Sequence, residues 1–218
     1  MTVYVNGVDL YYEKSGEGRP LIMIHGNGED HGIFDEAAAV LKDRFTCYLV
    51  DSRGHGQSTP VGELHYRDMA DDMIAFMEAL DLKDVVFYGF SDGGIVGLIA
   101  AAKCGRISDL IISGANLNPK GVKWFLRVVF RIMYAAKKDP KVRLMLQEPD
   151  IRDEELAAVS ARTLVLAGSK DLVLEKQTKQ IAAGIPGAEL RILEGEDHGS
   201  YIVHNRRIGE IIRNYVKE

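Results

Sequence analysis

Cysteine is scarce in this 218-residue chain, which contains only Cys47 and Cys104. Two cysteines provide neither a disulfide framework nor a zinc-ligand spacing, so we expect both thiols to be free in a reducing, cytoplasmic setting. Long apolar runs are also missing, since no segment reaches the ~18 residues that a membrane-spanning helix requires. The first twelve residues alternate apolar and polar side chains around Asn6-Gly7, which is typical of a β-hairpin and not of a signal peptide.

The chain has no excess of positive charge. Its 27 Lys and Arg residues are outnumbered by 32 Asp and Glu residues, which gives a net charge of -5. A chain without a basic excess has little with which to neutralise phosphates, so general nucleic-acid binding is disfavoured. Internal repeats, low-complexity tracts and metal-ligand spacings are also absent from the sequence, and we expect no metal ion and no cofactor. With 46% hydrophobic residues the chain can bury one core, which predicts a single domain over residues 1–218.

An apolar run that ends in a serine is the most informative stretch of the sequence. Val85 to Phe90 is rich in β-branched and aromatic residues, as expected of a buried strand, and Ile95 to Lys103 suits a packed helix. Ser91 lies at the junction. A sharp turn there would strain the backbone, expose the hydroxyl and aim the first N–H groups of the helix at a developing oxyanion. A plainer interpretation is that Ser91 only caps the helix.

Strands and helices alternate along the rest of the chain. Helical periodicity is clearest from Tyr66 to Leu80, where apolar residues recur on one face. This alternation predicts a mostly parallel sheet with helices on both faces and ligands bound outside the carboxyl ends of the strands. An opening hairpin is predicted at 2–5 and 8–12, further strands at 20–24, 46–50, 85–90, 110–112, 162–168 and 189–193, and further helices at 32–42, 174–183 and 202–216.

Position relative to the strand ends selects among six histidines and many carboxylates. Asp171 follows one predicted strand and His198 follows the last, so both would lie at the edge of the sheet that carries Ser91. Asp171 could instead be the cap of the next helix. His25 and His55 also follow strands, but we interpret them as turn residues that pack and hydrogen-bond to the backbone.

The order serine, acid, histidine resembles the α/β-hydrolase superfamily, in its branch of small esterase-like enzymes with a short cap. Four motifs carry the resemblance over nearly the whole chain: His25-Gly26-Asn27-Gly28, the loop from Asp51 to Ser58, the elbow Gly89-Phe90-Ser91-Asp92-Gly93-Gly94, and Asp171 with His198. The resemblance implies an α/β-hydrolase fold.

The resemblance also implies a serine hydrolase that cleaves an acyl bond, most simply a carboxylic ester in a small molecule. Ser91 would be the nucleophile, His198 the base and Asp171 the residue that orients the base, with an acyl-enzyme as intermediate. The backbone N–H groups of Asn27 and Asp92 would form the oxyanion hole. Serine at the elbow argues against epoxide opening and halide displacement, because relatives with those activities carry aspartate there.

A break in the alternation lies between the strand that ends near Ser113 and the strand that begins at Arg162. This is where the superfamily inserts its cap, so the resemblance implies a small helical cap over residues 116–152 within the domain. Its apolar side is expected to roof the acyl pocket with Trp124, Phe125 and Val129.

The predicted cap is basic. Eight Lys or Arg residues and a single acid, Asp139, lie between Leu117 and Leu146. A solvated outer face is the plainest interpretation. A sharper hypothesis is that the basic face guides anionic substrates or makes weak contact with an anionic lipid surface, as basic amphipathic helices can.

Three alternatives stay open from the sequence. Gly26-Asn27-Gly28 after a strand, with Asp51 ending the next strand, could belong to a dinucleotide-binding loop, but His31 occupies the place of the third glycine. The same fold could serve as a slow or non-catalytic ligand sensor. Peracid or peptide chemistry by the same three residues is the third alternative.

Overall fold

A single eight-stranded sheet forms the centre of the protein, for which the computed structural model describes residues 1–217. The strands lie in the order β1-β2-β4-β3-β5-β6-β7-β8. Strand β2 runs antiparallel to both of its neighbours, and β3 to β8 are parallel to one another. The strands are β1 (Thr2–Val5), β2 (Val8–Ser15), β3 (Arg19–Ile24), β4 (Phe45–Val50), β5 (Val85–Phe90), β6 (Ile107–Ser113), β7 (Arg162–Gly168) and β8 (Glu189–Leu193). The predicted mostly parallel sheet is confirmed.

Helices cover both faces of this sheet. They are α1 (Asp35–Leu41), α2 (Tyr66–Ala79), α3 (Asp92–Lys103), α4 (Trp124–Lys137), α5 (Pro140–Gln147), α6 (Asp153–Ala157), α7 (Glu175–Gly184) and α8 (Arg207–Tyr215). Helices α1 and α8 pack together over one face, while α2, α3, α6 and α7 cover the other. Each face therefore has its own apolar core.

Strand β5 shows why the sequence contains continuous apolar runs. All six of its residues are buried. Val85 and Phe87 belong to the core beneath α2 and α3, whereas Val86, Tyr88 and Phe90 belong to the core beneath α1 and α8. A strand covered on both faces has no polar side, so the alternation expected of a half-exposed strand is lost.

Three helix starts differ from the sequence-based expectation. Helix α1 begins at Asp35, after a 3₁₀ turn (His31–Phe34), and not at Gly32. Helix α3 begins at Asp92, directly after the elbow serine, and not at Ile95. Helix α8 begins at Arg207 and not near Ile202. His204 has a left-handed φ of 47°, which an α-helix cannot accommodate, and the Asn205 side chain accepts the N–H of Arg207 at 2.9 Å.

Residues 114–161 leave the sheet after β6 and return at β7, its neighbour. This segment contains a 3₁₀ turn (Pro119–Gly121) followed by α4, α5 and α6. Helices α4 and α5 pack together, and α6 returns along α3 and α7. We refer to residues 116–152 as the cap. Hydrogen bonds from Lys123 N–H to Leu172 O (3.0 Å) and from Leu174 N–H to Gly121 O (2.8 Å) tie the cap to the loop after β7.

None of the helices within residues 1–217 is long and apolar enough to cross a bilayer. Cys47 and Cys104 are both free thiols. Burial raises the pKa of the Cys47 thiol to about 12, so this group stays protonated and is a poor nucleophile.

Candidate active site

Ser91 lies at the turn between β5 and α3, and its backbone adopts a conformation that L-residues rarely show, with φ 52° and ψ -112°. Its N–H donates to Ser113 O at 2.7 Å, which fixes the turn against β6. Although Ser91 occupies the N-cap position of α3, its side chain makes no capping hydrogen bond. The interpretation of Ser91 as only a helix cap is therefore wrong.

Two glycines allow α3 to approach the sheet at this turn. A Cβ on Gly93 would overlap the carbonyl oxygen of Ile24 in β3, and a Cβ on Gly89 would overlap the backbone of Gly93. Only residues without a side chain let these backbones come so close. The N-terminus of α3 consequently lies against the end of β3.

Three side chains singled out in the sequence converge at the carboxyl edge of the sheet. Ser91 Oγ lies 3.1 Å from His198 Nε2, and His198 Nδ1 lies 2.7 Å from Asp171 Oδ1. The three residues come from the loops after β5, β7 and β8. The imidazole thus bridges a hydroxyl and a carboxylate, which is the arrangement that lets a histidine accept the hydroxyl proton.

The Asp171 carboxylate is almost fully buried. Its Oδ1 also accepts the N–H of Val173 at 2.9 Å, while Oδ2 is buried without a hydrogen-bond partner among residues 1–217. Helix α7 begins at Glu175 with Leu174 in the cap position, so Asp171 is not the cap of that helix. The Asp171 carboxylate thus contacts the His198 ring and also stabilises the turn in which Asp171 lies.

The loop that carries His198 is held by its neighbours. Asp197 accepts the backbone N–H groups of Gly199 (3.0 Å) and Ser200 (2.9 Å), and these bonds lower the pKa of the Asp197 carboxyl. The ring of Phe90 lies 5.0 Å from the His198 ring, centroid to centroid. The imidazole is therefore fixed by a short turn on one side and an aromatic contact on the other.

The turn from Gly26 to Glu29 follows β3 and faces the N-terminus of α3. It is closed by a hydrogen bond from Glu29 N–H to Gly26 O (3.3 Å), and Gly28 supplies the positive φ of 76° that the turn requires. The backbone N–H groups of Asn27 and Asp92 donate to no other group within the described chain. Two unused donors therefore flank Ser91.

The Asn27 side chain connects three parts of the protein. Its Nδ2 donates to Asp92 Oδ2 (2.8 Å) and to the carbonyl of Lys141 in α5 (3.2 Å). The other Asp92 oxygen accepts the Tyr66 hydroxyl at 2.7 Å. Burial raises the pKa of the Asp92 carboxyl. The Asn27 amide thus holds the turn between α3 and the cap.

His25 locks the same turn to the loop after β4. Its Nδ1 lies 2.7 Å from Gly26 O, and its Nε2 accepts the Ser52 N–H at 3.1 Å, so the proton resides on Nδ1 of a neutral ring. Burial lowers the pKa of His25 and lowers that of His55, whose ring lies 5.1 Å away, to about 4. The interpretation of both residues as packed, backbone-bonded turn residues is confirmed.

A cavity of about 260 Å³ opens beside Ser91 and His198. Its apolar wall is shared between the core domain and the cap. The wall consists of Phe90, Val122, Leu126, Phe130, Met145, Leu172 and Val173. Residues 116–152 therefore supply part of the wall of this cavity.

The prediction of which cap residues line the pocket is wrong. Trp124, Phe125 and Val129 do not line the cavity and are exposed on the outer side of α4, while Leu126 and Phe130 point inward. Helix α4 carries apolar residues around most of its circumference, so helical periodicity alone could not decide which side faces the pocket.

Three carboxylates and no Lys or Arg line the cavity within the described chain; the acids are Glu29, Asp92 and Glu148. Glu29 Oε2 accepts the Gly26 N–H at 2.9 Å, and burial raises the pKa of its carboxyl. Glu148 accepts from His65 Nδ1 (2.6 Å) and from Tyr66 N–H (3.0 Å). Sequence reasoning missed Glu29 and Glu148. For Glu29, its position directly after the motif His25-Gly26-Asn27-Gly28 could have indicated a place in the site. No feature of the sequence indicated Glu148.

One group within residues 1–217 could hold a metal ion: Asp30, His31 and Asp51, whose ligand atoms lie within 4.8 Å of one another. Asp51 accepts from the backbone N–H of His31 (2.7 Å), from its Nδ1 (2.8 Å) and from Gln57 N–H (2.8 Å). None of these residues lines the cavity. The group braces the loop after β4.

The sequence matches the family model described as alpha/beta hydrolase fold over residues 19–145, which is more than half of the chain. AB hydrolase superfamily protein YisY from Bacillus subtilis (strain 168) is 26% identical, with 95% of each chain covered. The 3-oxoadipate enol-lactonase 1 of Acinetobacter baylyi is 31% identical over 72% of this chain and 73% of its own length.

Solved structures share the fold over nearly the whole length. Esterase EaEST from Exiguobacterium antarcticum superposes with a TM-score of 0.86 at 22% identity, covering 98% of this chain and 97% of that one. Likeness at that identity establishes the architecture and not the activity.

Proposed function

Because the chain belongs to the α/β-hydrolase family of enzymes, we propose that it is a serine hydrolase that cleaves carboxylic esters. The observation that carries the proposal is the line of contacts from Ser91 Oγ to His198 Nε2 (3.1 Å) and from His198 Nδ1 to Asp171 Oδ1 (2.7 Å). A serine hydroxyl is a weak nucleophile on its own, and a histidine positioned in this way activates it.

Acylation uses all three residues. Ser91 Oγ attacks the acyl carbon while its proton passes to His198 Nε2, and Asp171 stabilises the imidazolium through Nδ1–H. The N–H groups of Asn27 and Asp92 receive the negative charge on the carbonyl oxygen, with support from the positive end of α3. His198 then protonates the leaving alcohol, and the acyl group stays on Ser91.

Deacylation reverses the roles. His198 removes a proton from water, the hydroxide attacks the acyl carbon, and the proton returns to Ser91 as the carboxylic acid departs. A cyclic ester is opened by the same two steps and gives a single product. The relative named as an enol-lactonase supports lactones as one form of the substrate.

The cavity supports a substrate with a short to medium, uncharged acyl group. Its volume is about 260 Å³ and much of its wall is apolar. Glu29 and Glu148 would repel a carboxylate on the acyl chain, because no Lys or Arg within the described chain lines the cavity. The two free thiols support a cytoplasmic location for the enzyme.

Hydrolysis of p-nitrophenyl esters of increasing acyl length tests the proposal. We expect a maximum at one short or medium length and slower turnover of the p-nitrophenyl hemisuccinate ester. Ser91→Ala should reduce kcat by about a million-fold, because the three residues act as a unit.

Ser15→Ala, at the exposed end of β2, is the matched control and should keep full activity. A loss of less than about a hundred-fold in Ser91→Ala would contradict the role of this serine, since such a loss is far below that of a unit-like triad. If the wild type hydrolysed no ester faster than Ser91→Ala, ester cleavage would be rejected in favour of a ligand-binding role.

A further inference from the structure

Helix α4 exposes an unusual amount of apolar surface. Six of the ten large apolar side chains that are exposed within residues 1–217 lie on this one helix, and none of its residues is buried. The most exposed are Trp124 (71%) and Ile132 (65%). We call the set Trp124, Phe125, Val128, Val129, Ile132 and Met133 the outer face of α4. A contiguous apolar patch on a protein surface usually marks a binding surface.

The outer face of α4 is a single stripe. Its members recur at intervals of one and then three residues over three turns, which keeps them on one side of a helix. The inner side is also apolar, since Leu126 and Phe130 line the cavity. Helix α4 therefore separates the cavity from whatever covers its outer face.

Unpaired cations border this stripe. Lys120, Lys123, Arg127 and Arg131 form no ion pair with any acid in the described chain. Arg127 Nε is buried and has no hydrogen-bond partner there either. Lys120, Arg127 and Arg131 line one surface depression together with a single acid, Asp150. Acids outnumber cations in this protein, so a cluster of four cations without an acidic partner is a basic patch that complements an anionic surface.

The charges are segregated along the chain. Residues 117–146 contain eight Lys or Arg and one acid, a net charge of +7, whereas the remaining 19 basic and 31 acidic residues give -12. The cations do not serve the cavity, because among the described residues three acids and no Lys or Arg line it. The cations are therefore not placed to guide anionic substrates into the cavity. They are placed to contact an anionic surface of another body, which would approach the cap from outside.

We propose that the outer face of α4 docks on a lipid bilayer that carries anionic headgroups. Trp124 and Ile132 would enter the boundary between headgroups and acyl chains, and the four cations would contact lipid phosphates. Docking in this way places the cavity next to the membrane surface. The inference stands on exposure and charge alone and holds whichever bond the site cleaves.

Trp124 is the only tryptophan of the chain, so its fluorescence reports on α4 directly. Vesicles of phosphatidylglycerol mixed with phosphatidylcholine should shift its emission to shorter wavelength, and vesicles of phosphatidylcholine alone should leave it unchanged. Raised salt should weaken the binding, because it screens the contacts with headgroups.

Two variants separate the charges from the apolar face. Arg127→Gln with Arg131→Gln should weaken vesicle binding about 25-fold, roughly five-fold for each charge. Ile132→Ser should weaken it about ten-fold through the loss of buried apolar area. The matched controls are Lys42→Gln with Lys217→Gln for charge and Tyr4→Ser for an exposed apolar residue outside the cap. They should bind as the wild type does.

Each other outcome overturns the proposal. An emission spectrum that does not change with anionic vesicles would reject docking, and equal binding to neutral vesicles would reject the role of the cations. A blue shift that grows with protein concentration in the absence of lipid, with a doubled mass in light scattering, would assign the outer face of α4 to a second copy of the chain. Circular dichroism confirms in each case that the variants are folded.

Discussion

The backbone of Ser91 stores strain. A non-glycine residue at positive φ costs on the order of 1–3 kcal/mol, which the surrounding contacts must offset. The hydrogen bond from Ser91 N–H to Ser113 O and the close packing of Gly93 on Ile24 are such contacts. The direction of the hydroxyl is thus set by the main chain of three neighbouring elements.

The lowered pKa of His55 predicts that the protein loses part of its unfolding free energy in acid. Burial lowers that pKa from about 6.5 to about 4, so the folded protein resists protonation of a ring that the unfolded chain protonates readily. The stability that depends on neutral His55 is complete above pH ~6.5 and is lost as the pH falls towards 4. The expected loss is about 3 kcal/mol over this window.

Urea unfolding at pH 7 and pH 4.5 measures this dependence. His55→Asn should unfold with a smaller difference between the two pH values than the wild type, because the titrating ring is gone. His204→Asn is the matched control, since His204 is exposed and asparagine tolerates its positive φ. An unchanged pH dependence in His55→Asn would contradict the assignment.

Residues differ in how far sequence could predict their contacts. Ser91, Asp171 and His198 could be selected because each follows a strand that ends at the same edge of the sheet. Their roles in catalysis stay predictions. The Asn27 amide could not be placed in this way, because its partner Asp92 lies 65 residues away and its other acceptor is a backbone carbonyl of the cap.

At the scale of elements, the contact between α3 and β3 makes a sharp prediction. A Cβ on Gly93 would overlap Ile24 O, so Gly93→Ala must push α3 away from the sheet. We expect a loss of about 3 kcal/mol of unfolding free energy or outright misfolding, together with loss of any Ser91-dependent activity.

Gly105→Ala is the control for this substitution. An added Cβ there meets no atom within 4 Å, so its effect should stay within about 1 kcal/mol. Thermal unfolding compares the two variants. Equal stability of Gly93→Ala and the wild type would show that α3 is not held against β3 as described.

The strands could be predicted from the sequence, because burial on both faces of the sheet produces continuous apolar runs. The orientation of α4 could not be predicted. Phe125 and Phe130 are both aromatic and lie on nearly opposite sides of that helix, yet only Phe130 reaches the cavity. Which one turns inward depends on how α4 packs on α5 and on the loop after β7, and a single helix does not contain that information.

Considered as a whole molecule, the protein is strongly polarised in charge. Its net charge is -5, but residues 117–146 carry +7 and the remainder -12. We therefore expect retention at neutral pH on a cation exchanger as well as on an anion exchanger, because a resin contacts one side of the molecule at a time.

Arg127→Gln with Arg131→Gln should elute earlier from the cation exchanger. Lys42→Gln with Lys217→Gln removes the same charge from outside the cap and should change that elution much less. Elution volumes on the two resins are the measurement. Identical shifts for both variants would show that net charge, and not its distribution, governs retention.

Residues 114–161 are inserted between two strands, β6 and β7, that are neighbours in the sheet. Ser113 in β6 pairs with Leu166 in β7, so the chain leaves and re-enters the sheet at adjacent strands. The register of these strands is fixed by their own backbone pairs, and the cap adds Leu117, Leu144 and Ile151 to the core beneath α2 and α3. None of the residues of α4 is buried, so that helix can change in sequence without disturbing the strand pairing. The outer face of α4 can thus vary independently of the strands that position Ser91, Asp171 and His198.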